Sequence, residues 1–380
     1  MNILLITDLY PLFEGEKGIP LTIRDFALGF AEAGHNVQVF RPNFIFNVQI
    51  RGRKTYKNGE YENAHVKIFN RNFLLPFRKN SVLSAYKEYF KDEKFDAIVA
   101  HMPSGIMCAD IISKEYKIPM LCAVHASDIT VLSDIKYFMF KKRMIEAYQN
   151  ASCILPRSFW LKDKIKRILP ALNKPVEIIY SGVPLKLTEE NEKLLEEHKF
   201  DPKKAKLLTV SSLIKRKNIK ALILAYKKLK KKHKKISLEI IGDGPLREKL
   251  EILNIKYKLD IKFSGTLSKD EVYKKMAAAD IFILPSKNET FGMVYMEALS
   301  HGNIVLCSKN SGVDGIIKND ESGFIIKANK KGIYNAINKI LNFKPKQFLE
   351  ISKNAIATAK MFSYENSVKN YLQKIELFKL

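Results

Sequence analysis

Two glutamates eight positions apart, Glu289 and Glu297, with a glycine between them, are the residues of this 380-residue sequence whose types and spacing most directly suggest chemistry. They lie in the stretch Asp280-Ile-Phe-Ile-Leu-Pro-Ser-Lys-Asn-Glu-Thr-Phe-Gly-Met-Val-Tyr-Met-Glu-Ala-Leu-Ser-His-Gly302. An apolar strand ends at Pro285, a polar loop carries Glu289, and a helix is predicted from about Phe291, with Gly292 in its first turn and Glu297 two turns in. Backbone amides of Thr290, Phe291, Gly292 and Met293 then face out of the helix start, and Gly292 lets an anion such as a pyrophosphate come close to them. Carboxylates accept several hydrogen bonds at once, which suits the hydroxyls of sugar and ribose rings. A structural account meets the same pattern: Glu289 sits near the helix start for its dipole, and Glu297 pairs with a lysine on a solvated face.

Short apolar runs alternating with amphipathic stretches must position these groups, and that alternation is the mark of parallel sheets covered by helices. Strands are predicted at residues 2–7, 37–40, 97–100, 120–124, 153–156 and 177–180, and again at 207–211, 237–241, 261–264, 281–285, 304–308 and 323–326. The chain divides accordingly into a doubly wound unit over 1–184, an acidic linker or solvated helix over 185–200, and a second doubly wound unit over 201–362. Residues 363–380 form a last helix, with Tyr364, Val368, Tyr371, Leu372, Ile375 and Phe378 at helical spacing. Two such units leave a crevice between the carboxyl ends of their sheets, the expected ligand site of this architecture. His125, at the end of a first-unit strand, falls at such an edge, although a lone histidine there is also met by a hydrogen-bonded core residue. His101 ends another strand in the same unit. Lys215, Arg216 and Lys217 follow the first strand of the second unit, where they are either exposed loop charges or an anion site.

The stretch from Asp280 resembles the Glu-x7-Glu signature of the retaining family-four glycosyltransferases, which have the α/β GT-B fold of two Rossmann-like domains facing a cleft. The similarity extends through Gly34-His35-Asn36-Val37, Val124-His125-Ala126-Ser127-Asp128, Ile179-Tyr-Ser-Gly182-Val183 and Ile241-Gly-Asp-Gly-Pro245. It implies a first domain for the acceptor, a second for a nucleotide-diphosphate sugar of the UDP or GDP type, and a terminal helix packed back on the first domain. It further implies that Glu297 holds the ribose, that Glu289 lies beside the donor sugar with His125, and that Gly18 belongs to the loop after the first strand, three residues beyond Gly15. The family's Gly-Arg-Leu-x-x-x-Lys-Gly pattern falls on Ser211-Ser212-Leu213-Ile214-Lys215-Arg216-Lys217-Asn218. Lys217 matches the lysine that holds the diphosphate. Ser212 stands where the arginine is expected, with Arg216 or Lys215 as the compensating cation. No Asp-x-Asp triplet occurs, so metal-independent transfer without a cofactor is expected. Retention implies same-face displacement, with a hexose passing to a glycan or lipid-linked acceptor in cell-surface polysaccharide, lipopolysaccharide or lipid-linked glycan synthesis. A sugar-nucleotide epimerase of the same fold is the alternative.

The composition sets the outer bounds. A hydrophobic share of 46% excludes wholesale disorder, and 65 Lys+Arg against 40 Asp+Glu, a formal charge of +25, favours anionic partners. No recognisable nucleic-acid module accompanies that charge, so nucleic acid is the distant alternative. Without an apolar run long enough to span a bilayer, the expected location is cytoplasmic, peripheral on the inner face of the membrane. Basic residues interleaved with aromatic ones over residues 51–57, 71–79 and 136–143 are the candidates for an anionic membrane surface. Four scattered cysteines, Cys108, Cys122, Cys153 and Cys307, are expected as buried thiols.

Overall fold

A computed structural model describes residues 1–16, 19, 21–44, 55–74, 78–309 and 311–379. It divides into two compact units, Met1–Ile179 with Ser367–Leu380, and Tyr180–Asn366. The first holds a seven-stranded sheet of β1 (Asn2–Ile6), β2 (Asn36–Phe44), β3 (Gly59–Asn63), β4 (Val66–Phe73), β5 (Ala97–His101), β6 (Met120–Val124) and β7 (Cys153–Pro156). Their order is β3-β4-β2-β1-β5-β6-β7, parallel throughout except where β3 pairs antiparallel with β4. The second holds β8 (Lys206–Val210), β9 (Ser237–Ile241), β10 (Lys262–Gly265), β11 (Ile281–Leu284), β12 (Ile304–Ser308) and β13 (Gly323–Ile326). These run parallel in the order β10-β9-β8-β11-β12-β13. Every residue of β5, β6, β11 and β12 is buried, as strands covered by helices on both faces must be.

Strand order decides where ligand-binding loops collect. In each sheet the order reverses beside the first strand, between β1 and β5 and between β8 and β11, and the crevice at the carboxyl ends of such a pair is the default site. The loop carrying Lys215–Lys217 leaves β8, and the loop carrying Glu289 leaves β11, so the two flank the reversal point of the second sheet.

Three features differ from the sequence expectation. Residues 177–180 form no strand, and only Val176 bridges to Ile154 beside β7. β3 and β4 form an unforeseen hairpin, closed by Ala64 and His65 at positive φ. The acidic stretch after Pro184 is the helix Leu185–Leu195 of the second unit, because Thr188, Asn191 and Leu195 give it one buried stripe. The helix Tyr364–Phe378 buries Val368, Tyr371 and Ile375, and Tyr371 meets Phe26 and Phe30 edge-on at 5.1 and 5.2 Å. All four cysteines are buried and free. Among the described residues no helix is long and apolar enough to cross a membrane.

Candidate functional site

In the second unit the loops after β8 and β11 are stitched together by backbone. The Lys287 amide donates to the Arg216 carbonyl at 2.7 Å, and the Asn218 side chain donates to the carbonyls of Pro285 and Ala328 at 3.3 and 2.9 Å. This brings Lys217, itself buried, into direct contact with the buried carboxylate of Glu289. Arg216 Nη1 lies 3.4 Å from both oxygens of the same carboxylate, and the Ser286 hydroxyl donates to it at 3.1 Å. Burial alone pushes the Glu289 carboxyl up, but Lys217, Arg216 and Ser286 outweigh it and hold the carboxyl below its ordinary value. The sequence assigned Glu289 to the sugar and Lys217 to the diphosphate separately; the structure joins them, with Arg216 beside them.

The helix begins at Met293 rather than near Phe291, because Gly292, at φ +79°, is the residue that caps it. A Cβ at Gly292 would lie 2.6 Å from the Tyr295 ring and 3.0 Å from Glu289 Cγ. Tyr295 cannot retreat freely, since its hydroxyl donates to the Leu284 carbonyl at 2.7 Å and its ring is buried. The Tyr295 amide already donates to the Gly292 carbonyl, which leaves Met293 and Val294 as the helix amides with no intrahelical acceptor. Thr290 and Phe291 precede the helix. Phe291 is buried, and Gly312 packs so closely on this pair that a Cβ there would sit 2.2 Å from Phe291 Cα and 2.3 Å from the Thr290 carbonyl.

Beside these groups lies an open depression of about 430 Å³. Ser212, Arg216, Lys217, Gly292, Met293 and Glu297 all line it. Burial raises the Glu297 carboxyl above its ordinary value, with Lys269 opposing. Ser212 is exposed, and the neighbouring Ser211 hydroxyl is buried without a hydrogen-bond partner among the described residues. Sequence reasoning missed Lys269 and Tyr273, which complete the wall from the helix Lys269–Ala278. The Ser268-x-x-Glu271 capping box marked where that helix starts, but not which face meets the site.

In the first unit, His125 caps the helix Ala126–Ser133 at the carboxyl end of β6. Its amide donates to Asp128 Oδ2 at 2.8 Å, and Tyr148 donates to Asp128 Oδ1 at 3.2 Å. Burial pushes the Asp128 carboxyl up to about 7 in spite of these bonds. His125 Nε2 lies 3.0 Å from Nδ1 of His101, whose Nε2 lies 3.3 Å from the Tyr371 hydroxyl. Burial, with Arg157 nearby, drives His101 down to about 3 and His125 well below its ordinary value. Arg157 and Tyr371 were not legible as parts of this cluster. Gly18 lies outside the described residues; Gly15, at φ +79°, has open space around it.

Residues 17–187 match the family described as Glycosyltransferase Family 4, and residues 190–358 match Glycosyl transferases group 1. An uncharacterized glycosyltransferase of Methanocaldococcus jannaschii is 29% identical over 324 residues, covering 83% of this chain and 85% of its own. The alpha-monoglucosyldiacylglycerol synthase of Streptococcus pneumoniae is 24% identical over 345 residues, covering 85% of this chain and 74% of its own. Among solved structures, sucrose-phosphate synthase from Thermosynechococcus elongatus matches with a TM-score of 0.74 at 18% identity, over 99% of each chain. Anabaena HepE in complex with UDP-glucose matches with a TM-score of 0.67 at 18% identity, again over 99% of each chain. These likenesses place the fold among the GT-B glycosyltransferases.

Proposed function

The chain belongs to the glycosyltransferases, its two parts to Glycosyltransferase Family 4 and Glycosyl transferases group 1, and on that premise we propose that it takes a hexose from a nucleotide-diphosphate sugar, of the UDP or GDP type, and transfers it with retention. The observation that carries the donor assignment is the juxtaposition of Lys217 and Arg216, both in contact with Glu289 behind them, with Gly292, Met293 and Glu297 around one depression. Glu297 accepts the ribose hydroxyls. The diphosphate takes the amides of Met293 and Val294 together with Lys217 and Arg216, and Glu289 faces the sugar. Fixed cations stabilise the departing diphosphate more as its charge develops than before, which is what accelerates the step. With Lys217 and Arg216 supplying that charge, no metal is required, and turnover is expected to survive EDTA.

The bond from the anomeric carbon to the phosphate oxygen breaks, and the acceptor oxygen bonds that carbon on the same face. The acceptor proton passes to the leaving phosphate. His125 contributes a contact to the donor sugar. Thermal shift against UDP, GDP and ADP and their sugars tests the donor, since a ligand binding only the folded state raises its melting point. Glu297→Ala should abolish the shift and Glu289→Ala should mainly lower turnover; unchanged behaviour in both variants would remove the assignment.

The acceptor is a glycan or lipid-linked glycan, met by an enzyme that is cytoplasmic and peripheral on the inner membrane face. Support comes from Ile135, Phe138 and Met139, which are 88%, 68% and 67% exposed among the exposed cations Lys136, Lys141, Lys142 and Arg143. Apolar side chains in the headgroup region, with about 1 kcal/mol per nearby cation from anionic lipid, suffice for reversible attachment. Of the other basic aromatic stretches, residues 51–54 and 75–77 lie outside the described residues. Sedimentation with anionic but not neutral liposomes is expected; no sedimentation with either would remove the membrane assignment. The Streptococcus pneumoniae relative, named as the synthase of a diacylglycerol glycolipid, favours this kind of acceptor.

A further inference from the structure

Three side chains from separate parts of the first unit form one hydrogen-bonded line ending at His125. The Tyr371 hydroxyl lies 3.3 Å from His101 Nε2, and His101 Nδ1 lies 3.0 Å from His125 Nε2. Tyr371 and His101 are 1% and 2% exposed, whereas His125 is half-buried, so the line runs from a dry interior to the edge of the sheet. His101 ends β5 and His125 follows β6, and the two strands are paired, with His101 opposite Ala123.

Proton counting gives the line a direction. A neutral imidazole carries one N–H, so one of its nitrogens donates and the other accepts. Among the described residues, the only hydrogen bond of the buried Tyr371 hydroxyl is the one to His101. If His101 carried its proton on Nε2, the phenolic O–H would have no acceptor, an unmade bond in a site closed off from bulk solvent. The phenol therefore donates to Nε2, His101 carries its proton on Nδ1, and that N–H donates to His125 Nε2. The proton of His125 is then on Nδ1. The Asp128 amide approaches the His125 side chain in a capping box, but it makes no side-chain cap hydrogen bond there and donates instead to the His125 carbonyl at 3.2 Å, while the Asp128 carboxylate is taken up by the His125 and Tyr148 donors. Burial and Arg157 keep both rings neutral, and a charged ring would put two donors against one of the junctions.

Resting on the assignment of His125 to the donor sugar, we infer that His101 and Tyr371 are positioning residues that lock His125 in the Nδ1–H tautomer. The group offered to substrate is then a neutral hydrogen-bond donor of fixed orientation, suited to a sugar oxygen and unsuited to removing a proton. The test is nitrogen NMR on the full-length protein labelled with ¹⁵N-histidine, with His125 identified by its loss in His125→Ala. An Nδ1–H signal at neutral pH is expected; an Nε2–H or a doubly protonated ring overturns the inference. Tyr371→Phe should mix the tautomers and lower nucleoside diphosphate release from UDP-glucose about fivefold to tenfold, the worth of one oriented hydrogen bond. KM should stay unchanged, and the melting temperature should fall only modestly, since His101 Nε2 loses its donor. His101→Asn, which keeps a donor facing His125, should retain more turnover than His101→Ala. Equal losses in those two variants would count against positioning, and should Tyr371→Phe fail to fold, the wild-type spectrum and the His101 pair decide. His125→Ala with unaltered turnover would instead remove the role of His125, and the tautomer measurement would stand apart from it.

Discussion

At the carboxyl edge of the second sheet a carboxylate and two cations are in contact, whereas at the edge of the first sheet two imidazoles are joined to each other and to a phenol, with no carboxylate among the described residues on either ring. Both clusters lie at the carboxyl ends of neighbouring strands, although the first also draws Tyr371 from the last helix, so much of the difference lies in the side chains rather than the sheet scaffold. The charged cluster holds an unlike pair whose cations, on the proposed function, an incoming diphosphate would recruit. In the neutral cluster, burial and Arg157 hold the histidines low, so orientation is preserved while charge is suppressed. On the proposed function, the same architecture would serve electrostatic stabilisation in one unit and directional hydrogen bonding in the other.

The largest expected effect comes from breaking the charged cluster on one side only. Lys217→Ala leaves Glu289 buried with only the half-exposed Arg216 opposite, and removing one partner of a buried pair costs about 3–5 kcal/mol. Chemical denaturation should show a loss of that order, together with loss of nucleotide-sugar binding by calorimetry. The double variant Lys217→Met with Glu289→Gln should recover most of the stability and none of the binding. If His125→Ala destabilised the protein as much as Lys217→Ala does, the contrast between a charged and a neutral cluster would fail.

Next in size is Gly292→Ala. The substitution puts a side chain at φ +79° and forces the Tyr295 ring and Glu289 apart, for which about 1–3 kcal/mol is expected. Because the ring is tied to the Leu284 carbonyl, the strain should appear at the start of the helix and weaken diphosphate binding as well. A variant as stable as the parent, with unchanged affinity, would show that the close approach at Gly292 is not used.

Why some of this was legible in the sequence and some was not follows from the kinds of contact involved. β5, β6, β11 and β12 announce themselves because strands buried on both faces are continuous apolar runs. β3 escapes because Gly59-Glu-Tyr-Glu-Asn63 is a polar edge strand in an antiparallel hairpin, a break in the alternation that carried the rest. Glu289, Lys217 and Arg216 were each visible as candidates, but their meeting depends on β8 and β11 being neighbours, which only the strand order reveals. Tyr371 was visible as part of an apolar helical stripe. That its hydroxyl reaches His101, 270 residues earlier, is a tertiary fact with no local signal.

The smallest effect separates the two glutamates by pH. Glu289 is held below the ordinary glutamate value, so its contribution to stability is present above that value and lost as pH falls through the depressed one. Glu297 is raised by burial, so the folded protein keeps its proton at a pH where the unfolded chain has released it. Its burial therefore favours the fold under acid conditions, and that benefit disappears as pH rises through the raised value. Ribose binding needs the opposite form, since only the carboxylate accepts two hydroxyl donors. Affinity for UDP-glucose, whose diphosphate has no proton to exchange in this range, should thus begin to fall above the ordinary glutamate value of about 4.3 on acidification, by at most about tenfold per pH unit. Glu297→Gln should bind more weakly and lose this slope, whereas Glu289→Gln should keep the slope and lose part of the acid-sensitive stability. The measurement is calorimetric affinity over a pH series set beside denaturation at the same pH values. A slope that survives in Glu297→Gln would place the titrating group elsewhere and take the ribose contact from Glu297.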